Sequence, residues 1–174
     1  MKKILIFFLS IFIMCLAATP LRAAENSLTV NPISLILGAP NLDYERSLND
    51  HFSVNISGNK YSLESSDFEL KGSLYSIGGK YYFSETQRGS YFGMNYNKLN
   101  IECEGSDDDN FFADLFEELL DYGKADGISL AFGYRKITDS GFTFDVGGSM
   151  NYYNPKEGDS VKFPMIWFAL GYGW

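Results

Sequence analysis

Long apolar runs are nearly absent from this chain of 174 residues. The one exception, Ile4 to Ala18, is shorter than the roughly 20 residues that a transmembrane helix requires. It follows Lys2 and Lys3 and precedes several small residues, an arrangement typical of a cleaved secretory signal peptide. We therefore expect residues 1–24 to be a signal peptide and residues 25–174 to form one exported domain, with an uncleaved N-terminal anchor as the alternative.

Cysteine is scarce as well. Cys15 lies in the expected signal peptide, so Cys103 is alone in the exported domain and an intramolecular disulfide is excluded there. Glu102 and Glu104 flank Cys103, and their carboxylates disfavour the reactive thiolate form. The sequence therefore predicts neither a disulfide framework nor a redox-active thiol.

Basic residues are outnumbered by acidic ones. The chain has 14 Lys and Arg against 22 Asp and Glu, a net charge of −8. Loss of Lys2, Lys3 and Arg22 with the signal peptide leaves 14 − 3 = 11 basic residues and a net charge of 11 − 22 = −11. Because binding to a phosphate backbone requires a surplus of basic side chains, we expect no nucleic-acid partner.

What the sequence has instead is a series of segments in which apolar and polar residues alternate. In one of them, Ile128, Leu130, Phe132 and Tyr134 alternate with Ser129, Ala131, Gly133 and Arg135. Such period-two patterns indicate β-strands with one apolar face. Together with a terminal strand and an opening strand over Ser27 to Leu37, they predict eight strands. The opening strand is the least regular, since Pro32 is poorly suited to a central strand.

The predicted connections between strands are of two kinds. The turns after the second, fourth and sixth strands are short: Asn49-Asp50, Ser84 to Gly89, and Thr138 to Gly141. The connections after the other strands are Gly38 to Pro40, Leu63 to Asp67, Glu102 to Asp126, and Asn154 to Ser160, and three of these four are longer. Short periplasmic turns and longer outer loops are typical of outer-membrane barrels.

The last strand ends on an aromatic residue. Phe168, Leu170, Tyr172 and Trp174 share one face with Ile166, and the other face carries Trp167, Ala169, Gly171 and Gly173. In a closed barrel within a bilayer, apolar residues face lipid, small residues face the lumen, and terminal aromatic rings lie at the interface. The pattern therefore favours a membrane barrel.

With these features the chain resembles the small eight-stranded outer-membrane barrels of the OmpA/OmpX type. The stretch from Asn31-Pro32 to Asn41-Leu42-Asp43-Tyr44-Glu45-Arg46 resembles the start of uncharacterised barrels of that kind. The resemblance implies an all-β fold, an eight-stranded antiparallel up-and-down transmembrane β-barrel in the bacterial outer membrane. It also implies insertion by the barrel-assembly machinery, with Phe168, Leu170, Tyr172 and Trp174 as the assembly signal.

Five charged residues fall on the lumen side of the predicted strands and near the periplasmic turns. They are Asp43, Glu45, Lys80, Arg135 and Asp145. At about 3.3 Å per residue along a strand, they share roughly one layer of the barrel. Because buried charges must be paired and the barrel interior is just wide enough for side chains, we predict a salt-bridge network that closes the lumen. A structural ion cluster is the main interpretation, and a gated ion or proton path is the alternative.

The predicted third outer loop is strongly acidic, with ten of the 22 acidic residues between Glu102 and Asp126. It includes Asp107, Asp108 and Asp109. Phe112, Phe116 and Leu120 recur every four residues, which predicts a short amphipathic helix in this loop. Four interpretations stay open for this candidate interaction loop: a helix over the barrel mouth or outer leaflet, a protein contact, a divalent-cation site, and an inert lid.

Catalysis is not indicated. The single histidine, His51, falls in the first periplasmic turn, and a serine hydroxyl without a placed base has no route to activation. We expect a non-enzymatic outer-membrane barrel with a structural or surface-interaction role and no cofactor or metal. Its expected partners are outer-membrane lipid, the barrel-assembly machinery and an unknown protein at the outer loops. The alternative is a soluble periplasmic lipocalin-like barrel that binds a lipid or a small apolar ligand inside.

Overall fold

A computed structural model of the chain describes residues 24–36, 38–65, 68–104, 123–155 and 160–174. The predicted signal peptide, apart from Ala24, and most of the predicted third outer loop lie outside these residues, so both stay predictions. Across the described ranges, every helix is too short or too polar to cross a membrane.

The described residues form eight strands. These are β1 (Asn26–Val30), β2 (Asn41–Ser47), β3 (Phe52–Ser65), β4 (Phe68–Tyr82), β5 (Gly89–Glu104), β6 (Lys124–Ile137), β7 (Phe142–Pro155) and β8 (Val161–Gly173). Each strand pairs antiparallel with the next one along the chain. β1 also pairs with β8, with Leu28 opposite Tyr172, which closes the sheet into a barrel. The predicted eight-stranded antiparallel up-and-down barrel is therefore confirmed.

A short helix, α1 (Pro32–Ile36), follows β1. The predicted opening strand over Ser27 to Leu37 is thus wrong from Asn31 to Ile36, and Leu37 lies outside the described residues. The Asn31 side chain caps this helix, because its Oδ1 accepts hydrogen bonds from the backbone N–H groups of Ile33 at 2.9 Å and Ser34 at 3.2 Å. Pro32 suits the first helical position, where its fixed φ is favourable and its missing N–H costs nothing.

The strands extend further outward than predicted. β3 runs to Ser65 and β4 begins at Phe68, so strand pairing covers most of the predicted loop from Leu63 to Asp67. Likewise, β5 runs to Glu104 and β6 begins at Lys124, which shortens the predicted third outer loop at both ends. The apolar alternation used for the prediction stops where the lipid-facing surface would end, whereas backbone pairing continues through polar residues.

The two faces of the sheet differ in character. Along β6 the burial alternates without interruption from Lys124 to Ile137. The outward side chains of Leu130 and Phe132 are 46% and 60% exposed, whereas the inward Arg135 is 1% exposed. The predicted division of this strand into an outer and a lumen face is confirmed. An outward apolar band surrounds the barrel and includes Val54, Ile56, Ile77, Met94, Tyr96, Ile128, Leu130, Val146, Met150 and Ile166.

Two inward glycines make room for large side chains in the lumen. A Cβ atom on Gly133 would lie 2.6 Å from the ring and hydroxyl of Tyr91. A Cβ atom on Gly147 would overlap the indole of Trp167. Because both glycines lack a side chain, these two aromatic residues can reach the charged centre of the lumen.

Candidate functional site

The lumen holds a cluster of charged side chains, which we call the lumen cluster: Asp43, Glu45, Lys80, Arg135 and Asp145. They lie on the inward faces of β2, β4, β6 and β7, towards the ends of the strands that meet the short turns. The structure brings all five of these sequence-predicted residues together. Strand alternation accounts for their common face, and their similar distance from the turns accounts for their common level.

Arg135 is the centre of the lumen cluster. Its Nε and Nη2 atoms lie 2.6 and 2.5 Å from Oδ2 of Asp145, and its Nη1 lies 2.7 Å from Oε2 of Glu45. Nη1 also donates to the hydroxyl of Ser27 at 2.9 Å. A guanidinium presents several donors in a fixed plane, so one Arg135 side chain can bind two carboxylates at once.

Glu45 is fully buried and compensated by several donors. Besides Arg135, its Oε2 binds Nζ of Lys80 at 2.6 Å. Its Oε1 accepts hydrogen bonds from the hydroxyls of Ser53 at 2.6 Å and Tyr82 at 2.7 Å. Since an unpaired buried carboxylate is very costly, these contacts explain how Glu45 is tolerated in the interior.

Asp145 has a similar environment on the opposite side of Arg135. Its Oδ1 accepts hydrogen bonds from the hydroxyl of Tyr91 at 2.8 Å and from Nε1 of Trp167 at 3.0 Å. The Nζ of Lys80 lies 5.1 Å from the centre of the Tyr91 ring, a cation–π distance. Tyr91 thus contacts Asp145 through its hydroxyl and Lys80 through its ring.

Asp43 lies at the edge of the lumen cluster. Its Oδ1 is 3.7 Å from Nζ of Lys80 and 3.8 Å from Nη2 of Arg135, both longer than hydrogen bonds. Its Oδ2 accepts a hydrogen bond from Nδ2 of Asn55 at 3.2 Å, and its side chain is 18% exposed. Three carboxylates against two cations give the lumen cluster a formal charge of 2 − 3 = −1, and the looser contacts of Asp43 leave that excess at the wetter edge.

An uncharged polar layer lies next to the lumen cluster, further from the short turns. Together with Asp43, Lys80, Arg135 and Asp145 of the lumen cluster, it lines a cavity of about 220 Å³ whose other polar lining residues are mostly asparagine and serine. Ser129 donates to Oδ1 of Asn151 at 2.6 Å and also binds Nδ2 of Asn97. A cavity of this size and polarity can hold several water molecules.

An apolar layer follows at the outer ends of β5 to β8. It consists of Leu99, Ile101, Ala125, Tyr153, Val161 and Phe163, with Leu74 packed against it. The rings of Tyr153 and Phe163 stack with their centres 5.7 Å apart. The lumen is therefore filled at two levels, by charges near the short turns and by apolar side chains near the outer ends.

The sequence placed large side chains such as Tyr82, Tyr91 and Trp167 in the lumen, but it predicted neither the apolar layer nor the hydrogen bonds that Ser27, Ser53, Tyr82, Tyr91 and Trp167 donate or accept within the charged cluster. The signal was present, because all of these residues fall on the inward parity of their strands. Parity assigns a face of the sheet, but it does not show which inward side chains meet across the barrel.

The family of the chain follows from its sequence. Residues 7–163 match the model of a family described as "Protein of unknown function (DUF3575)". The chain belongs to the DUF3575 family. The DUF3575 match includes every residue of the lumen cluster and ends at Phe163. No curated protein matches the sequence significantly.

One solved structure resembles this DUF3575 chain in fold. It is the crystal structure of the N-terminal β-barrel domain of Pseudomonas aeruginosa OprF, with a TM-score of 0.56 and 12% sequence identity. The similarity covers 88% of this chain and 100% of that chain. At this level of identity the likeness shows the fold, an eight-stranded barrel of the outer-membrane type.

The remaining sequence-predicted residues of the DUF3575 chain fall in two regions. Phe168, Leu170 and Tyr172 lie on the outward face of β8, and the backbone N–H of Trp174 donates to the carbonyl of Asn26 at 2.8 Å where the barrel closes. The Trp174 ring lies 6.4 Å from the rings of Tyr44 and Tyr172. The loop residues Asp107, Asp108, Asp109, Phe112, Phe116 and Leu120 lie outside the described residues.

Proposed function

We propose that this DUF3575 protein is a non-enzymatic barrel of the bacterial outer membrane with a closed lumen and a structural or surface-interaction role. The outward apolar band is the observation that carries this proposal. Side chains such as Ile77 and Phe132, 59% and 60% exposed, would be unfavourable in water but are favourable against lipid. A lipocalin-like barrel needs the reverse arrangement, with apolar residues inside, and is not favoured.

The filled lumen supports a structural rather than a conducting role. Glu45 and Asp145 each accept contacts from several donors, so the lumen cluster is held in one arrangement. The apolar layer around Tyr153 and Phe163 opposes the passage of ions, because an ion there would lose its hydration without gaining polar partners. These contacts favour a structural ion cluster over a gated ion path.

The surroundings of His51 support a role without catalysis. Its Nδ1 lies 3.1 Å from the carbonyl oxygen of Tyr82, and its ring stacks on Tyr81. These two contacts anchor the ring of His51 in the short turn. We accordingly propose that the protein performs no reaction.

The proposal also includes how the protein reaches the membrane and what it meets there. Residues 1–24 would direct export, and the outward residues of β8 with Trp174 would be recognised by the barrel-assembly machinery of a Gram-negative cell. An OmpX-like role at the surface would then belong to the acidic candidate interaction loop, with an unidentified protein as its partner.

Cell fractionation combined with gel electrophoresis tests the proposal. The full chain, expressed in a Gram-negative host, is expected in the outer-envelope fraction and should migrate differently with and without heating, because a folded barrel resists detergent denaturation. A soluble periplasmic protein with no heat-dependent shift would contradict the proposal. Steady ion conductance of the purified protein in a planar bilayer would contradict the closed lumen alone.

A further inference from the structure

The wall of the barrel is open on one side, towards the outer end of β8. β1 is short, and its pairing with β8 ends at Val30, opposite Leu170. β8 continues outward from there to Val161 and stays paired with β7 over that length. Within the described ranges, residues 161–169 of β8 therefore have a partner strand on one side alone. The helix α1 packs against β8, and we call the gap between α1 and residues 161–169 the lateral opening.

The backbone of β8 is suited to an edge without a partner strand. Asn26 and Trp174 exchange both backbone hydrogen bonds, at 2.8 and 2.9 Å, so the even-numbered residues of β8 direct their N–H and C=O groups towards the β1 side. The register with β7 is continuous, so the same alternation continues beyond Leu170 to Pro164. Proline has no N–H group and is confined in sheets to such edges. Pro164 thus removes a donor where β8 lacks a partner strand.

Side-chain exposure locates the lateral opening. Met165 has the inward parity of β8 and is 41% exposed, whereas the inward residues Phe163 and Ala169 are each 9% exposed. Ile166 has the outward parity and is 87% exposed, yet it lines the lumen cavity of about 220 Å³ together with Ser34 of α1. An outward side chain lines an internal cavity where the wall has a gap. The cavity therefore communicates with the outer surface of the barrel through the lateral opening.

The cavity presents side-chain oxygens that accept no hydrogen bond. The described residues include four that line the cavity with a buried Oδ1 atom of this kind: Asp43, Asn55, Asn59 and Asn95. Asn55 is 4% exposed, and its Nδ2 donates to Oδ2 of Asp43 at 3.2 Å. Because a carboxylate can only accept, this contact fixes the orientation of the amide and leaves Oδ1 of Asn55 as an acceptor. A ligand that matches this lining must supply donors.

The charge of the lumen cluster selects the kind of donor. The cluster has a formal charge of 2 − 3 = −1, and Asp43, with ion-pair contacts of 3.7 and 3.8 Å, brings the excess to the cavity lining. One ammonium group would change the formal charge to −1 + 1 = 0, and it has three N–H donors and no acceptor. A phosphate-bearing headgroup would instead add negative charge beside Asp43.

We propose that the cavity binds the ammonium end of an amphipathic primary amine, whose hydrocarbon chain leaves through the lateral opening into the bilayer. This inference rests on the proposed membrane function. The cavity has room for the ammonium group and its first methylene groups, and Met165 and Ile166 offer apolar contacts to the chain at the opening. Binding from the side requires no path along the barrel axis, so the lumen stays closed to ions.

Photoaffinity labelling with a matched control tests this inference. The protein is reconstituted in phosphatidylcholine vesicles, and the heat-dependent gel shift first establishes that the barrel has formed. The probe is dodecylamine with a diazirine in the middle of its chain, and its attachment sites are mapped by mass spectrometry of peptides. Unlabelled dodecylamine or dodecanol is added as the competitor. The test variant is Asp43→Asn, and the control is Asp139→Asn, at an exposed position in a short turn.

We expect saturable labelling beside the lateral opening, at Met165, Ile166 or α1, that dodecylamine displaces and dodecanol does not. The affinity should be about tenfold weaker in Asp43→Asn, because a charge-assisted hydrogen bond is lost, and within about twofold of the unmodified protein in Asp139→Asn. Equal displacement by the amine and the alcohol, labelling spread evenly over the outward apolar band, or equal affinities of the two variants would overturn the inference.

The competition experiment uses the unmodified protein, so it decides the matter even where Asp43→Asn fails to give the gel shift. A missing gel shift in the unmodified protein would instead contradict the proposed membrane barrel.

Discussion

Replacing Arg135 with methionine removes the guanidinium at the centre of the lumen cluster while keeping a long apolar side chain. Asp145 loses contacts at 2.5 and 2.6 Å, and Glu45 loses one at 2.7 Å. Glu45 still has Lys80, but Asp145 then has the neutral donors of Tyr91 and Trp167. The formal charge of the cluster changes from −1 to 1 − 3 = −2, and a carboxylate stays buried without a direct ion pair.

Breaking a buried ion pair by removing one partner costs about 3–5 kcal/mol. Because Arg135 serves two carboxylates, we expect Arg135→Met to lower the free energy of unfolding by a value near the upper end, about 4–5 kcal/mol. Adding Asp145→Asn removes the unpaired charge. The double variant should therefore recover about 1–3 kcal/mol relative to Arg135→Met alone.

Urea unfolding of the protein refolded in phosphatidylcholine vesicles measures this effect. Tryptophan fluorescence is a suitable signal, since Nε1 of Trp167 lies 3.0 Å from Asp145. Lys136→Met, at the exposed neighbouring position on the same strand, is the control and should stay within about 0.5 kcal/mol of the unmodified protein. A loss of less than about 1 kcal/mol for Arg135→Met, or no recovery with Asp145→Asn, would refute the reasoning.

Three further substitutions test other parts of the barrel. Gly147→Leu should lower the free energy of unfolding by about 1–3 kcal/mol, because the new side chain overlaps Trp167. Gly148→Ala is the control and should change the free energy of unfolding little, since its Cβ would lie 3.4 Å from its nearest neighbour. Equal effects of the two substitutions would argue against the packed lumen. Phe163→Ala should lower the free energy of unfolding by about 3–5 kcal/mol in the same urea titration, because a large side chain of the apolar layer is lost. A decrease of less than about 1 kcal/mol would mean that this layer is not packed. Trp174→Ala removes two ring contacts where the barrel closes, each worth about 0.5–1.5 kcal/mol. A smaller fraction of the protein should therefore show the heat-dependent gel shift after refolding. An unchanged fraction would contradict a role of Trp174 in barrel formation.

The face of the sheet on which each side chain lies was predictable from the sequence, because a strand has a side-chain period of two. The level of the charged residues along the barrel axis was also predictable. That period puts Leu130 outside and Arg135 inside once β6 is recognised. Distance from the turns then puts Glu45, Lys80 and Arg135 at one level. Both inferences need local information alone, and the structure has these residues in contact.

Other features depend on information that no single segment contains. The contact between Arg135 and Ser27 joins residues 108 positions apart, and it follows from the register of the closed sheet rather than from either strand. The helix α1 depends on the side chain of Asn31, a capping effect that strand alternation does not detect. The predicted strands were also too short at their outer ends, because pairing between polar segments leaves no alternating apolar signal.

The central claim is that the apolar face of the barrel contacts lipid while its polar face encloses the lumen. Neighbouring residues on β4 test it most directly, since Ile77 is outward and 59% exposed whereas Ser76 lines the polar cavity. Spin labels are attached to Ile77→Cys or Ser76→Cys, each in a Cys103→Ser background and reconstituted in phosphatidylcholine vesicles. The label at position 77 should collide with oxygen dissolved in the bilayer and be shielded from a water-soluble nickel chelate, while the label at position 76 should be shielded from bilayer oxygen. The reverse result, or free access of the nickel chelate to position 77, would contradict the account.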